Sequence, residues 1–502
     1  ISKSFELYQT FDKLTNYQHS EFVEMNLNNL YLLKGLLLSG YTNMLDELSQ
    51  LNDEAINTLI SDYRTTHAIL SQQITRPITF RTYDVDSLQK AVQQKETVLV
   101  KKHKELFKSE ELVLDWKTVQ NNLNSDEVVV EFSKFNYRDT EDNNDNEYYY
   151  VAYVFDKMAS TPKPIYLFKE SELKKVLSKS TPSNMYDLRG SKGKAVKANT
   201  SEALYNLIWK PLDTHFADKQ TIYFAPSGLL NQLALAALPN GEGETMLSKY
   251  NLYQMSNTAS LAHTKPEIQQ SPAIFVGGIQ YDFSPKENSE TKNNSEQVTI
   301  NSNTTRSNQE GTWQYLSGTE QEANELNKLY QDKSQHTTII KGENATEEWF
   351  KKLSGKSPKV LHLATHGFFF EDVVDTTAYK SQQPEYTLAK DPLLRSGLVL
   401  AHGNYTWQYG NNPYKLEDGI LTAYEISRLD FQNTDLVVLS ACETGLGDIS
   451  GSEGVYGLQR AFKMAGVKTI IMSLWEVPDK ETSEFMQLFY TNWLNNKNIR
   501  QA

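Results

Sequence analysis

Apolar residues recur every three or four positions through much of the first part of the chain. This spacing predicts amphipathic helices, because it places the apolar side chains on one helix face. A further segment, 84–107, sets apolar residues among Gln, Lys and Glu and predicts a long helical arm. Residues 1–113 are therefore predicted to form an all-α region. The apolar positions of its first clear helix are Val23, Leu27, Leu30, Leu33 and Leu37.

After Trp116 the pattern changes to short runs of β-branched and aromatic residues, which are typical of strands. One helical segment, 201–216, interrupts these runs. Residues 114–268 are therefore predicted to form one α/β domain. Its predicted strands lie at 128–132, 148–155, 164–168 and 221–224.

Apolar runs and helical segments then alternate regularly from residue 269 to residue 502. Such alternation predicts a mainly parallel sheet with helices on both faces, and so a second α/β domain. The predicted strands lie at 272–278, 337–340, 360–365, 436–441 and 469–475. The predicted helices lie at 320–330, 346–353 and 453–465, with a last one starting at Asp479.

Two of these apolar runs end on a reactive side chain. The run 360–365 is followed by His366, and the run 436–441 by Cys442, the one cysteine of the chain. Sites in open α/β sheets lie beyond the carboxyl ends of the strands. A thiol is a strong nucleophile, and a neighbouring imidazole can take its proton. We interpret Cys442 and His366 as a catalytic pair; the alternative is that Cys442 is a small core residue.

Composition narrows the classes of function. The chain has 63 acidic and 50 basic residues and a net charge of −13, which argues against direct nucleic-acid binding. No apolar stretch has the length of a membrane span, so no membrane association is expected. A single cysteine excludes internal disulfides and fits a reducing, cytoplasmic compartment. The chain starts at Ile1 and ends on what reads as a helix start, so we expect both termini to be cut.

The other candidate groups suggest structural roles. His362 lies within its strand and is interpreted as a core histidine, and His402, beside Gly403, as a loop residue. The nine histidines and the carboxylates show no close spacing typical of metal ligands, so no metal is expected. No phosphate-binding glycine loop is found, and no cofactor is expected.

Five short motifs follow one another in the second half of the chain. They are Ala364-Thr365-His366-Gly367, Glu417-Asp418-Gly419-Ile420-Leu421-Thr422-Ala423, Leu439-Ser440-Ala441-Cys442-Glu443-Thr444-Gly445, and the segments 454–462 and 473–479. In this order they resemble the CHAT domain family, caspase-like cysteine proteases of bacteria that often follow tetratricopeptide repeats. The resemblance covers roughly residues 115–502. It implies a catalytic caspase-like domain at 269–502, a non-catalytic caspase-like half at 114–268, and the end of a repeat array at 1–113.

The resemblance also implies a role for each matched residue. Cys442 would be the nucleophile, and His366 the general base that later protonates the leaving amine. The backbone N–H groups of Gly367 and Cys442 would form an oxyanion hole, in which one donor is typically worth about 3 kcal/mol of activation free energy.

The segment 475–479 is also similar to the segment after the last core strand of separase, a eukaryotic relative in which an aspartate lines the primary specificity pocket. Asp479 would then select a basic P1 residue through a charge-assisted bond. Trp475, Glu476 and Glu443 would be further substrate-binding residues. The alternative is that Asp479 only caps the helix that it precedes, since Asp is a common N-cap residue.

These observations predict a cytoplasmic cysteine endopeptidase that cleaves protein substrates. It would be regulated through its N-terminal helices, on which an activating protein or a ribonucleoprotein would dock. The segments 445–454 and 372–418 would leave the pocket incomplete in the resting state. Two alternatives stay open: a catalytically silent scaffold, and a protease subunit of a CRISPR-associated effector.

Overall fold

The structure of the chain is a computed structural model, and it describes most of the 502 residues. The described residues are 2–15, 19–76, 81–107, 115–137, 147–179, 198–240, 244–262, 268–282, 312–370, 389, 391–409, 417–441, 448–449, 455–474, 478–496, 499 and 502.

Contacts divide the chain into two compact units. The first unit is made of 1–40, 109–266 and 449–455, and the second of 41–108, 267–448 and 456–502. The predicted all-α region is therefore shared, since 1–40 and 109–113 belong to the first unit and 41–108 to the second. The domain boundaries predicted at 113 and 268 stay predictions.

The N-terminal region is helical, as its apolar periodicity predicts. Side-chain caps set two of the starts, because Asp53 accepts hydrogen bonds from the N–H groups of Ala55 and Ile56, and Asp84 from that of Ser87. The helices among its described residues are α1 (Ser2–Leu14), α2 (Ser20–Gln50), α3 (Glu54–Thr75) and α4 (Val85–Leu106).

The first unit is built on a mixed five-stranded sheet. Its strands are β1 (Glu127–Tyr137), β2 (Glu147–Asp156), β3 (Lys163–Lys169), β4 (Thr221–Ala225) and β5 (Asn251–Gln254), in the order β3-β2-β1-β4-β5. Three strands, β3, β2 and β1, are antiparallel, whereas β4 and β5 continue the sheet in parallel. The helices that follow α4 are α5 (Trp116–Asn121), α6 (Glu170–Leu177), α7 (Ala198–Ile208) and α8 (Met246–Lys249).

Alternate residues of β1 pack into two separate hydrophobic cores, one on each face of the sheet. Val128 and Val130 pack with α6 and α7, whereas Val129 packs with the first part of α2. A buried ion pair accompanies the second core, in which Lys34 Nζ lies 2.5 Å from Glu131 Oε1. This part of α2 is therefore integral to the first unit.

The second unit is built on a five-stranded sheet in which every neighbouring pair is parallel. Helices pack on both of its faces, so the mainly parallel α/β architecture predicted from the alternating pattern is confirmed. The sheet has the order β15-β12-β8-β6-β7, with β6 (Ala273–Ile279), β7 (Thr337–Gly342), β8 (Val360–Ala364), β12 (Leu436–Ser440) and β15 (Thr469–Met472).

A smaller antiparallel sheet is formed by strands that lie between β8 and β12 in the sequence. This sheet was not predicted from the sequence. Its strands are β9 (His366–Phe369), β10 (Ser396–Val399) and β11 (Ile420–Thr422), with β10 in the centre. The remaining described strands are β13 (Asp448–Ile449) and β14 (Val455–Tyr456). The helices of this part of the chain are α9 (Ser317–Asp332), α10 (Glu347–Lys351), α11 (Gly403–Tyr409), α12 (Ala423–Ile426), α13 (Leu458–Met464) and α14 (Asp479–Asn496).

The last predicted helix does start at Asp479. Among the described residues, none of the helices has both the length and the apolar composition that a membrane span requires.

Candidate active site

The strands β8 and β12 are parallel neighbours, and their register relates the two predicted catalytic residues. Ala364, the last residue of β8, pairs with Ser440, the last residue of β12. His366 and Cys442 each come two residues later in the sequence. Cys442 lies outside the described residues, as do the predicted substrate-binding residues Glu443, Trp475 and Glu476. The catalytic pair therefore stays a prediction.

His366 is placed by a sharp change of strand. Thr365 lies between β8 and β9, and its hydroxyl donates a hydrogen bond of 2.5 Å to the carbonyl of Val399. His366 then pairs with Val399, and Gly367 with Leu398, in the antiparallel sheet. The apolar run predicts where the large sheet ends, but not that His366 begins a strand of its own.

The imidazole of His366 is enclosed by aromatic rings. The ring of Tyr281 lies 4.9 Å from it and that of Trp313 lies 5.0 Å from it, measured between centroids, and His366 is 1% exposed. The hydroxyl of Tyr281 lies 3.0 Å from that of Thr365. These contacts leave the ring little freedom to rotate.

One hydrogen bond determines which nitrogen of His366 carries a proton. Nε2 lies 2.7 Å from the backbone carbonyl oxygen of Gln314. A carbonyl oxygen can only accept, so Nε2–H is the donor, and in the neutral ring Nδ1 then holds the lone pair. A general base needs such a fixed, accepting nitrogen. Sequence reasoning missed Gln314, because the group concerned belongs to the backbone and leaves no mark on residue type.

The segment that carries Gln314 leads directly into α9, whose N-terminus is held from two sides. The hydroxyl of Thr319 accepts a hydrogen bond of 2.9 Å from the N–H of Gly278. A Cβ at Gly277 would lie 2.1 Å from the carbonyl oxygen of Thr319, so only glycine permits this approach of α9 to β6. From the other side, Asp479 Oδ2 accepts a 2.7 Å hydrogen bond from the N–H of Gly318.

Asp479 therefore has a structural partner that the sequence did not indicate. It is 8% exposed and begins α14, yet the bond to Gly318 reaches the start of α9. A carboxylate at a helix N-terminus is favourable because it meets unpaired N–H groups and the positive end of the helix dipole. The role in a specificity pocket stays a prediction, since 475–477 lie outside the described residues.

His362 and His402, which the sequence predicts to be structural, have surroundings that suit such roles. His362 is fully buried, with Nε2 at 2.8 Å from Glu322 Oε1 and Nδ1 at 3.3 Å from the hydroxyl of Tyr490. His402 has a φ of +72°, in the left-handed region, and its N–H donates to the carbonyl of Gln280. It thus forms the turn that leads from β10 into α11.

A buried charge cluster lies where β11 and α12 meet α10. Lys351 Nζ is 2.7 Å from Glu347, 2.9 Å from Glu417 and 3.0 Å from Glu425. Oxygen atoms of these three carboxylates lie within 4.8 Å of one another, a spacing that a metal ion could use, but the ammonium of Lys351 lies among them. Burial alone would lower the pKa of Lys351, yet the charges of its three partners raise it well above the usual range. We therefore assign the cluster to the internal ion network and not to a metal.

Comparisons with known proteins identify a domain family and two relatives that are similar over a short segment. A family model of the CHAT domain matches residues 198–502, more than half of the chain. Tetratricopeptide repeat protein 28 of Homo sapiens is similar over 81 residues at 36% identity, and its counterpart in Mus musculus over 80 residues at 34% identity. Each match covers 16% of this chain and 3% of the relative, so the likeness concerns a small part of those proteins.

Proposed function

The chain belongs to the CHAT domain family, and from that premise we propose that it is a cysteine endopeptidase with His366 and Cys442 as its catalytic pair. The observation that carries the proposal is the fixed orientation of His366, whose Nε2–H is bound to the carbonyl of Gln314. The register of β8 and β12 supports it, because neighbouring strands lie about 4.8 Å apart and both residues follow the paired strand ends by two positions.

The proposed reaction uses Nδ1 of His366 as the proton carrier. Nδ1 takes the proton of the Cys442 thiol, and the thiolate adds to the carbonyl carbon of the scissile peptide bond. The N–H groups of Gly367 and Cys442 stabilise the oxyanion. The C–N bond then breaks as Nδ1 gives its proton to the leaving amine. Water, deprotonated by Nδ1, finally cleaves the thioester and restores the thiol.

The decisive experiment compares the wild-type protein with Cys442→Ala and His366→Ala. New N-termini in a cell lysate, mapped by mass spectrometry, should appear with the wild type and be missing with both variants. Iodoacetamide should modify Cys442 faster in the wild type than in His366→Ala, because the imidazole favours the thiolate. Identical fragment patterns for the wild type and Cys442→Ala would contradict the proposal and favour a catalytically silent scaffold.

A basic P1 preference is the finer part of the proposal. Asp479 would supply the charge, and Asp479→Asn separates this role from the structural one, because Asn can still accept the hydrogen bond of Gly318. The variant should fold normally and lose most of its preference for Arg or Lys at P1, by about 1–3 kcal/mol of transition-state binding. A P1 profile unchanged in Asp479→Asn would leave Asp479 as a helix cap.

Regulation through the N-terminal helices is also proposed, and contacts within the second unit support it. His67 Nε2 of α3 lies 3.3 Å from the hydroxyl of Tyr424, with the rings 5.5 Å apart, and Arg64 lies 3.8 Å from Asp430. Burial, with the charge of Arg428, lowers the pKa of His67 to about 3, so the ring is neutral. Tyr424 belongs to α12, which continues from β11, and β11 joins the sheet that begins with His366.

Point variants test this route better than truncation, because 41–108 form part of the second unit. Tyr424→Phe removes the hydroxyl and keeps the ring, and it should change turnover per folded molecule in the absence of a partner. Tyr83→Phe, at a side chain that is 59% exposed, is the matched control. A lower melting temperature with unchanged turnover would show that the contact only stabilises the unit.

A further inference from the structure

Asn404 is hydrogen-bonded to Tyr281 and Trp313, the two residues whose rings enclose His366. Its Oδ1 accepts a 2.7 Å hydrogen bond from the N–H of Trp313, and its Nδ2 donates a 2.9 Å bond to the carbonyl of the same residue. Nδ2 also donates to Asp282 Oδ1 at 2.8 Å. The backbone N–H of Asn404 donates to the carbonyl of Tyr281 at 3.1 Å. Asn404 is 3% exposed, so its two side-chain bonds to Trp313 form away from water.

The Asn404 side chain forms the same two hydrogen bonds with the backbone of Trp313 that a paired β-strand would form. One amide group satisfies both the N–H and the C=O of Trp313, and this fixes the peptide planes on either side of the residue. The next residue is Gln314, whose carbonyl binds Nε2 of His366. A shift of Trp313 therefore moves both the ring that packs on His366 and the acceptor that orients it.

We propose that Asn404 is a positioning residue that holds Trp313 and Gln314 so that His366 keeps its proton on Nε2 and its lone pair on Nδ1. The inference rests on the proposed function of His366 as general base. Loss of the correct orientation of a catalytic group slows the reaction strongly, since a misplacement of about 1 Å can lower the rate about 100-fold. Substrate binding does not require this orientation. Loss of Asn404 should therefore reduce kcat while KM changes little.

The test uses Asn404→Asp, which keeps the shape of the side chain. It retains the acceptor for the N–H of Trp313, loses the donor to the Trp313 carbonyl, and places a carboxylate against Asp282. We expect kcat to fall by about 10- to 100-fold. The double variant Asp282→Asn/Asn404→Asp restores a bond between these two side chains but not the bond to the Trp313 carbonyl, so its kcat should stay low. Recovery of kcat in the double variant would overturn the proposal.

Nitrogen-15 NMR of labelled histidine provides a readout that needs no activity. In the wild type the His366 signals, identified by their loss in His366→Ala, should show a protonated Nε2 and an unprotonated Nδ1 near neutral pH. In Asn404→Asp we expect a mixture of tautomers. The control is Asn257→Asp in the first unit, where a buried amide likewise bridges two backbone groups, the carbonyl of Tyr31 and the N–H of Ala259. It should lower stability and leave the His366 signals unchanged.

The two proposals fail in different ways. If Asn404→Asp leaves both kcat and the tautomer of His366 as in the wild type, Asn404 does not position the base, and the protease assignment is untouched. If the tautomer changes but the wild type shows no hydrolysis that depends on Cys442, the positioning role stands and the protease assignment falls.

Discussion

Replacing Lys351 by Met should strongly destabilise the second unit. Met replaces the apolar part of the lysine side chain as far as Cε and removes the ammonium group, which lies within 3.0 Å of an oxygen of each of its three carboxylate partners. Of these partners Glu347 is 1% and Glu425 4% exposed, so neither gains access to water when the lysine is lost.

The size of the effect follows from the burial of these carboxylates. Removing one partner of a buried ion pair typically costs about 3–5 kcal/mol, because the remaining charge stays buried without compensation. We expect a loss in this range at pH 8. It would also affect the region of the candidate active site, because Glu347 accepts a hydrogen bond from the N–H of Gly419, which precedes β11.

The loss of stability in Lys351→Met should be smaller at acid pH. The folded-state pKa of Lys351 is raised above the ordinary value of 10.5, so its stabilisation is fully present throughout the range from pH 5 to 8 in the wild type. Burial already raises the pKa of Glu347, and loss of the lysine raises it further. Protonation then relieves the buried charge as the pH falls, so the variant should be closer to the wild type at pH 5 than at pH 8.

Urea unfolding, followed by far-ultraviolet circular dichroism and tryptophan fluorescence, measures both effects. The control is Lys341→Met, which removes an exposed ion pair of 3.1 Å with Glu320 and should cost less than about 1 kcal/mol at either pH. If Lys351→Met unfolds at the same urea concentration as Lys341→Met at pH 8, the reasoning about uncompensated buried charge is refuted.

Substitutions at three other residues have expected outcomes. Burial raises the pKa of Asp418 from 3.8 to about 7, so this group makes stability fall as the pH rises from about 4 to 7; Asp418→Asn should flatten that dependence in unfolding experiments. Asp479→Ala should lower the melting temperature and cost about 1–2 kcal/mol through the lost cap of Gly318, whereas Asp479→Asn should not. Lys34→Met should destabilise the first unit by about 3–5 kcal/mol, because Glu131 is fully buried; unchanged resistance of α2 to proteolysis would contradict this.

The inner part of the large sheet could be predicted because its strands β8 and β12 are buried on both faces. Such strands are continuous apolar runs, and 360–364 and 436–440 stand out in the sequence for that reason. The position of His366 beyond the end of its run followed from the same rule. The pairing of β8 with β12 could not be read locally, because register between strands far apart in sequence depends on the whole sheet.

The small sheet and the support of His366 left weaker signals. The strands β9 and β10 have four residues each, and residues 370–395 separate them in the sequence, so no hairpin pattern connects them. Gln314 contributes a backbone carbonyl, which every residue type carries. Asn404 has no recognisable signal in the sequence, because its partners, which are mostly backbone groups, come from other parts of the chain. Asp479 could be seen as a helix cap, but its bond to α9 depends on a tertiary contact.

For the proposed protease function, the environment of His366 implies that the presence of a Cys–His pair would not be sufficient for catalysis. Four of the groups that enclose or orient this ring belong to Tyr281, Trp313, Gln314 and Asn404, which come from three separate segments. Tyr281, Trp313 and Gln314 contact the ring directly, by packing or by a hydrogen bond, whereas Asn404 acts through Trp313. Loss of any of these contacts would leave both reactive side chains in the sequence. A rate that depends on the orientation of an imidazole can therefore fall steeply while Cys442 and His366 are unchanged. Activity in this chain should follow the geometry of these supports as closely as it follows the presence of the pair itself.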